Sequence, residues 1–529
     1  MNHNARGSTV RRIDYSSAFG FTDIFRSFKI ATQPGKLAMA LLLVVVMFVV
    51  GWVVDGLFGR DAVAPGEFDA FVAAAGDEAQ FEQWAEAYQG DVEQQLYALL
   101  IKAGADSDRA NEVLDRADSI GRAHTLIADQ YAKRIEQAEE GYADAGAREA
   151  AVEQLRQRRD QALADVRSLE PRGVFAEALS IKIDAFDRLI AAVLGTAGNL
   201  DWSRIGIEQV NPGVRADPDT VVGALRVAGY EMPRWLWSQH PWFLVIWLIV
   251  FIAAWSLLGG ALARLSVVEA ATGERLTMSD GVSFAARRWL SFALMPLVPL
   301  IFLGLFALAL SLFGLLFHLW VLDIIAALLW GAAIVVGLLL ALGLIGWVAS
   351  VHMMYPALAA ESSDLFDGVS RSYSYVVARP WRFAWYTIVA LVYGALTYFF
   401  IGLVIFLTLL AARAATGAWV APFEQMLPRP QIGQLVYQIQ TEGLGPTERI
   451  AAVILKVWVM LTIGLVAAYA ISYYLASYSI IYLLLRRECD GTDTSQIAPD
   501  QPATSDESPP AAPAKAEPPG DPVDKPDDQ

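Results

Sequence analysis

Cysteine occurs once in the 529 residues, at Cys489, so no disulfide can form within the chain and no CxxC pair can hold a metal. Histidine is scarce too: His3, His124, His240, His318 and His352 never fall at ligand spacing such as HxxxH. Charged residues make up 18% against 55% hydrophobic, with a mean hydropathy of +0.39, too apolar for an ordinary soluble protein. Positive charge is in deficit. The formal net charge is −16, which argues against nucleic acid, whose binding needs clustered Lys and Arg to neutralise phosphate. There is no catalytic, metal or nucleotide motif, so no enzyme activity, cofactor or metal is expected. Ionisable residues are also missing from the middle of each long apolar run. Asp55, His318, Asp323, His352, Arg413 and Lys456 lie within a turn or two of a run's end. Groups buried in hydrocarbon mark ion paths and proton relays, so their absence weighs against a pump or ion-coupled transporter.

What the chain does have is six apolar runs, each long enough to cross a bilayer, which takes about 20 residues. The expected fold is all-α: a six-span helical membrane bundle with an inserted extracytoplasmic helical domain. The spans are 37–57, 241–263, 289–317, 321–351, 383–412 and 451–485, and only about three residues separate the third from the fourth, which forces an antiparallel hairpin. Ala62-Val63-Ala64 has the form of a signal-peptidase site, but the long polar lead, the full-length apolar run and Pro65 favour an uncleaved anchor. Residues 58–240 are rich in Ala, Glu, Gln, Asp and Arg. Apolar spacing in Leu96–Ile101, Ala110–Ala164 and Val174–Leu194 predicts helices, with a coiled-coil-like hairpin broken near Ala143–Arg148. The mixed charge of that hairpin suits a solvated face. Residues 413–450 form a proline-bearing loop, and 486–529 a tail too poor in apolar residues to fold.

Lys and Arg placement sets the orientation. Residues 1–36, the 264–288 segment, the 352–382 segment and Arg486-Arg487 fall on one side when six spans alternate. That side is expected to be the cytoplasm of a bacterial inner membrane, with both termini inside and 58–240 outside.

The polar segments before the outgoing spans share a plan. In Ser362–Trp385, Phe366, Val369, Tyr373 and Val376 fall on one helical face and Asp367, Ser370, Arg371 and Ser374 on the other; Ser363 or Asp364 can cap the start and Pro380 stops it. This reads as an interfacial elbow helix. Thr277-x-x-Asp280 opens a second with capping-box form, and Asp280-Gly281-Val282-Ser283 repeats Asp367-Gly368-Val369-Ser370. Ile24, Phe25, Phe28 and Ala31 suggest a third, with Thr22 as cap and Pro34 as stop. The membrane part thus reads as three units of elbow helix, span out and span back.

Two sets of candidate site residues follow. Arg287, Arg288, Arg371, Arg379 and Arg382 on the elbows are placed to meet anionic lipid head groups, each worth on the order of 1 kcal/mol. In the last span Tyr474, Tyr478 and Tyr482 recur every four residues beside small and hydroxyl residues. Ser472, Tyr473 and Ser479 are candidates for lining a polar cavity, the alternative being close packing between helices. Gly331, Gly337, Gly343 and Gly346 read first as helix-packing positions and second as hinges. Cys489 is juxtamembrane and suits a free thiol, with acylation as the alternative.

The stretch from Tyr355-Pro356 through Phe366-Asp367 and Ser370-Arg371-Ser372-Tyr373-Ser374-Tyr375 to Arg379-Pro380 resembles a signature of uncharacterised bacterial multi-pass membrane proteins, which implies topology only. The elbow-plus-span plan is similar to the membrane domain of glycerophosphodiester phosphodiesterases, whose catalytic domain has no counterpart here. Mitochondrial carriers also have three two-span units, but their Pro-x-Asp/Glu-x-x-Lys/Arg motif is absent. The expected role is a non-catalytic envelope scaffold or assembly component. Its partners are the lipid bilayer, envelope proteins or further copies of the chain, and not nucleic acid. The alternative is a passive or lipid-handling transporter whose path runs along the last span.

Overall fold

The computed structural model describes residues 20–58, 63–74, 77–115, 118–141, 144–211, 214, 216–362, 364–417, 445–492 and 495–497. Expectations for residues 1–19, Ser363, most of the 413–450 loop and the tail beyond 497 lie outside the described residues. Six helices are long and apolar enough to cross a membrane: Pro34–Leu57, Pro241–Thr272, Leu297–His318, Leu322–Glu361, Pro380–Gly417 and Pro446–Asp490. The chain is an all-α, multi-pass membrane protein.

Several span ends differ from the hydropathy reading because a helix continues after its apolar run stops. The second span runs to Thr272 and carries Arg264 inside the bundle, 5% exposed. The fourth runs to Glu361 despite Pro356, so His352 sits nine residues short of the helix end, roughly 13 Å at 1.5 Å per residue. The third span is shorter than expected: Trp289–Leu294 is a separate helix, and the chain breaks at Met295-Pro296 before Leu297. The helix Arg26–Ala31 stops just before Pro34, which also opens the first span.

The bundle is densest on the elbow side. The largest core joins the ends of all the spans except the third to the short helices Gly20–Phe25, Arg26–Ala31, Met278–Arg287 and Leu365–Ala378, around Ile24, Met39, Leu262, Phe284, Met354, Tyr375 and Tyr482. The sixth span is its axis, burying residues on several faces from Ala468 to Arg486. The hairpin of the third and fourth spans is the opposite case. No residue in the apolar window of the third is buried, and an added Cβ at Gly331 or Gly337 would meet nothing, whereas Gly343 faces Leu303 and Gly346 faces Tyr373.

The elbow helices pack by their small residues. In Leu365–Ala378 the buried stripe is Gly368, Ser372, Tyr375 and Val376, while Phe366 is 65% exposed. The contact face is thus rotated by about one residue from the apolar face read in the sequence. In a bilayer apolar side chains gain nothing by turning inward, so small residues that allow close approach take the helix-helix contact. The shared glycine has this role in both elbows. A Cβ at Gly281 would lie 3.0 Å from Leu265 Cγ and 3.3 Å from the Ala261 carbonyl, and one at Gly368 would strike Met295. Thr277 and Asp280 close a capping box as the spacing predicts, while Asp364 holds the N-cap position of the later elbow without a side-chain bond.

Between the first and second spans lie α1 (Glu67–Ala74), α2 (Glu78–Ala103), α3 (Ser107–Leu114), α4 (Ser119–Gly141), α5 (Ala145–Ser168) and α6 (Val174–Asn199). Leu96, Leu100, Ile127, Tyr131, Leu163 and Val166 make one core. A second core joins α1 and α6 to Trp235 of the helix Met232–Gln239 and to Val54 and Phe243 at the ends of the first two spans. Asp55 ties α6 to the membrane part. Gly173 at the α6 N-cap has no side chain to offer, and the Asp55 carboxylate instead accepts the Phe175 and Ala176 amides at 2.9 and 3.3 Å.

Candidate functional site: two cavities beside the sixth span

An apolar cleft of about 160 Å³ lies between the fifth and sixth spans under α6. Its floor is Thr387, Ala390, Leu391, Gly394 and Ala395; Tyr398, Tyr469, Tyr473, Tyr474 and Tyr478 wall it, and Phe186, Leu189 and Ile190 of α6 cover it. Phe186 meets the Tyr398 ring edge-on at 5.2 Å and Asp187 accepts the Tyr398 hydroxyl at 3.2 Å, which seats the cover. Burial pushes the Asp187 carboxyl above its ordinary range, against the opposing pull of the Tyr398 hydrogen bond. Gly394 leaves room for the Tyr473 ring, whose hydroxyl donates to the Ala390 carbonyl at 2.7 Å.

On the other side of Tyr474 is a second cavity, of about 190 Å³, between the second, third, fourth and sixth spans. Phe251, Trp255, Ala293, Pro296, His352, Tyr355 and Leu475 line it with Tyr474 itself. His352 Nδ1 lies 2.9 Å from the Tyr474 hydroxyl, and its ring stacks on Tyr478 at 4.9 Å.

Of the three residues marked in the last span, Tyr473 lines the first cleft. Ser472 and Ser479 are buried elsewhere, their hydroxyls donating to the carbonyls of Ala31 at 2.9 Å and Leu475 at 2.6 Å. These two are packing residues: a buried hydroxyl needs an acceptor, and a neighbouring backbone supplied one. Thr387, Tyr398 and the α6 residues were not marked, because nothing in a linear sequence says which distant helix will cover a groove. His352 falls at the end of an apolar run in the sequence and reads there as interfacial. Pro356, four residues on, is the available signal, since proline removes a helix hydrogen bond and irregular backbone in a span is tolerated where it is buried in protein or lines a cavity.

The marked arginines brace the elbow side. Arg371 bonds Asp367 at 3.1 Å and lies 3.6 Å from Glu361. Burial opposes its charge, but the Asp367 and Glu361 carboxylates outweigh that and raise its pKa. Arg382 pairs with Glu488 at 2.6 Å. Arg288 donates to the Ser362 carbonyl and stacks on Phe284, whose ring Arg264 also covers. Arg287 reaches Ser283, and Arg379 is exposed beside Cys489. Near the ends of the second, fourth and sixth spans a glutamate meets a cation: Glu269 takes Lys36 at 2.7 Å, Glu361 takes Arg486 at 2.9 Å and Glu488 takes Arg382.

No protein-family model, curated protein or solved structure matches the chain.

Proposed function

We propose that the chain is a non-catalytic, lipid-handling membrane protein that takes an alkyl chain into the cleft between its fifth and sixth spans. The observation that carries this reading is the cleft itself: apolar walls, five tyrosines, and a cover contributed by α6. Apolar concave sites with a few placed hydroxyls suit amphipathic ligands. Photocrosslinking with a diazirine-bearing alkyl lipid in native membranes tests it. Adducts are expected at Leu391, Gly394 and Tyr473, and Leu391→Trp, which fills the cleft, removes them. Labelling there no stronger than on the lipid-facing third span, or unchanged in Leu391→Trp, would refute the reading.

The architecture around this site follows the three-unit plan, supported by the two elbow glycines at matching buried positions and by the glutamate near the end of the second, fourth and sixth spans. The elbows and both termini then face the cytoplasm of a bacterial inner membrane, and 58–240 faces outward. Reporter tags within Ala110–Ala164 and after Cys489 check this by falling on opposite sides. A second reading, an envelope scaffold, is supported by the third and fourth spans, whose outer halves pack on nothing else described. A second copy or an envelope protein would cover that face, and crosslinking from Leu328 or Leu339 would capture it.

A further inference from the structure

The cavity around His352 is bounded by interrupted helices. Trp255–Gly259 of the second span is a π-turn, the third span breaks at Met295-Pro296, and Pro356 stands inside the fourth. Proline has no N–H, so Pro356 cannot make the usual helical bond to the His352 carbonyl. Irregular backbone at membrane depth is tolerated where it is buried in protein or lines a cavity, and discontinuous helices recur at substrate sites. Three interruptions around one cavity therefore point to a site, and π-turns are common at such places. The lining side chains with polar atoms are those of His352, Tyr474, Tyr355 and Trp255. Among the described residues, no Lys or Arg lines either cavity.

Resting on the lipid-handling reading, we propose that the His352 cavity holds the head of a neutral, hydroxyl-bearing lipid of the monoacylglycerol class, whose chain passes Tyr474 into the tyrosine cleft. Tyr474 walls both spaces, and swinging its ring away from His352 joins them into one passage. The imidazole then bonds a hydroxyl of the head in place of the tyrosine. A phosphate head would bring a charge with no cation to meet it, and such burial is costly. The volume suits a glycerol-sized head: water occupies about 30 Å³ in the liquid, so the cavity is comparable to a handful of water molecules.

The test uses the full chain in nanodiscs with three photolipids of one chain length: monoacylglycerol, lysophosphatidic acid and free fatty acid. Each carries a diazirine either beside the head or at the chain end. For monoacylglycerol, head-proximal adducts are expected at Trp255, Pro296 and Val351, and chain-end adducts at Leu391 and Gly394. His352→Phe should cut the head-proximal monoacylglycerol adducts about tenfold, as loss of a hydrogen bond does, while chain-end labelling by the free fatty acid holds and the melting temperature falls only slightly, since the Tyr474 hydroxyl loses its partner. His352→Asn, which keeps a donor and an acceptor, should restore part of the loss. If no probe labels either space, the lipid-handling reading itself fails. If all three label the cleft but none the His352 cavity, that reading stands and the head site is wrong. Head-proximal labelling by lysophosphatidic acid at the same residues, or labelling indifferent to His352→Phe, would overturn the assignment to a neutral head.

Discussion

Removing Glu361 should be among the most damaging single changes on the elbow side, and its cost can be worked from its neighbours. Its carboxylate lies 2.9 Å from the Arg486 guanidinium, accepts the Tyr482 hydroxyl at 3.0 Å and sits 3.6 Å from Arg371. Arg486 is 8% exposed, so Glu361→Ala leaves a buried cation without its carboxylate. Breaking one side of such a pair costs about 3–5 kcal/mol, and the orphaned Tyr482 hydroxyl adds about 1. Arg371 contributes less than about 1, since it is partly exposed and keeps Asp367. Arg486→Met should be nearly as costly as Glu361→Ala. The double variant removes both charges, so it should cost at least about 2 kcal/mol less than the sum of the singles. Reversible unfolding in mixed micelles, titrated with SDS, measures all three. Additivity within about 0.5 kcal/mol would show that the pair is not coupled and refute the account of the elbow side as a set of ionic braces.

Three other outcomes follow from the same structure. Gly281→Val should destabilise by about 1–3 kcal/mol in that assay, because the new side chain meets Leu265 and a backbone carbonyl that cannot move aside; Gly368→Val should cost less, since a flexible Met295 methyl can yield. Asp55→Ala should cost about 1–2 kcal/mol and raise hydrogen exchange in the first turn of α6, with Asp55→Asn recovering part of it. Glu67 predicts a pH dependence. Burial raises its pKa, but hydrogen bonds from His240, Trp235 and the Ala64 amide win and hold it below the ordinary 4.5. A depressed acid stabilises the fold fully above its unfolded value and loses that contribution as pH falls through the folded one. Exchange in α1 and in Met232–Gln239 should therefore rise below about pH 4.5, and Glu67→Gln should flatten that rise; an unchanged profile would exclude Glu67 as its source.

Hydropathy and length alone determined that this is an all-helical membrane protein with six spans and a polar helical insertion, because a bilayer admits helices only above a certain length and the signal is local. The capping box at Thr277 and Asp280 was equally legible, since cap chemistry spans four neighbouring residues. What the linear chain did not determine were the span ends at Thr272 and Glu361, where tertiary contacts hold polar residues inside the bundle, Arg264 on the Ala359 carbonyl and the Phe284 ring and Glu269 on Lys36. Nor did it determine which face of an elbow turns inward. Amphipathicity marks the apolar side, but here lipid competes for it and the glycine-serine side makes the contact. The site is the clearest case. Tyr473 was legible as one residue of an unusual span, yet the cleft exists only because α6, well over two hundred residues earlier in the chain, lies across it. The His352 cavity exists only because three separately interrupted helices meet. Burial, partner and cavity are properties of residues distant in sequence and adjacent in space, and the packed bundle alone brings them together.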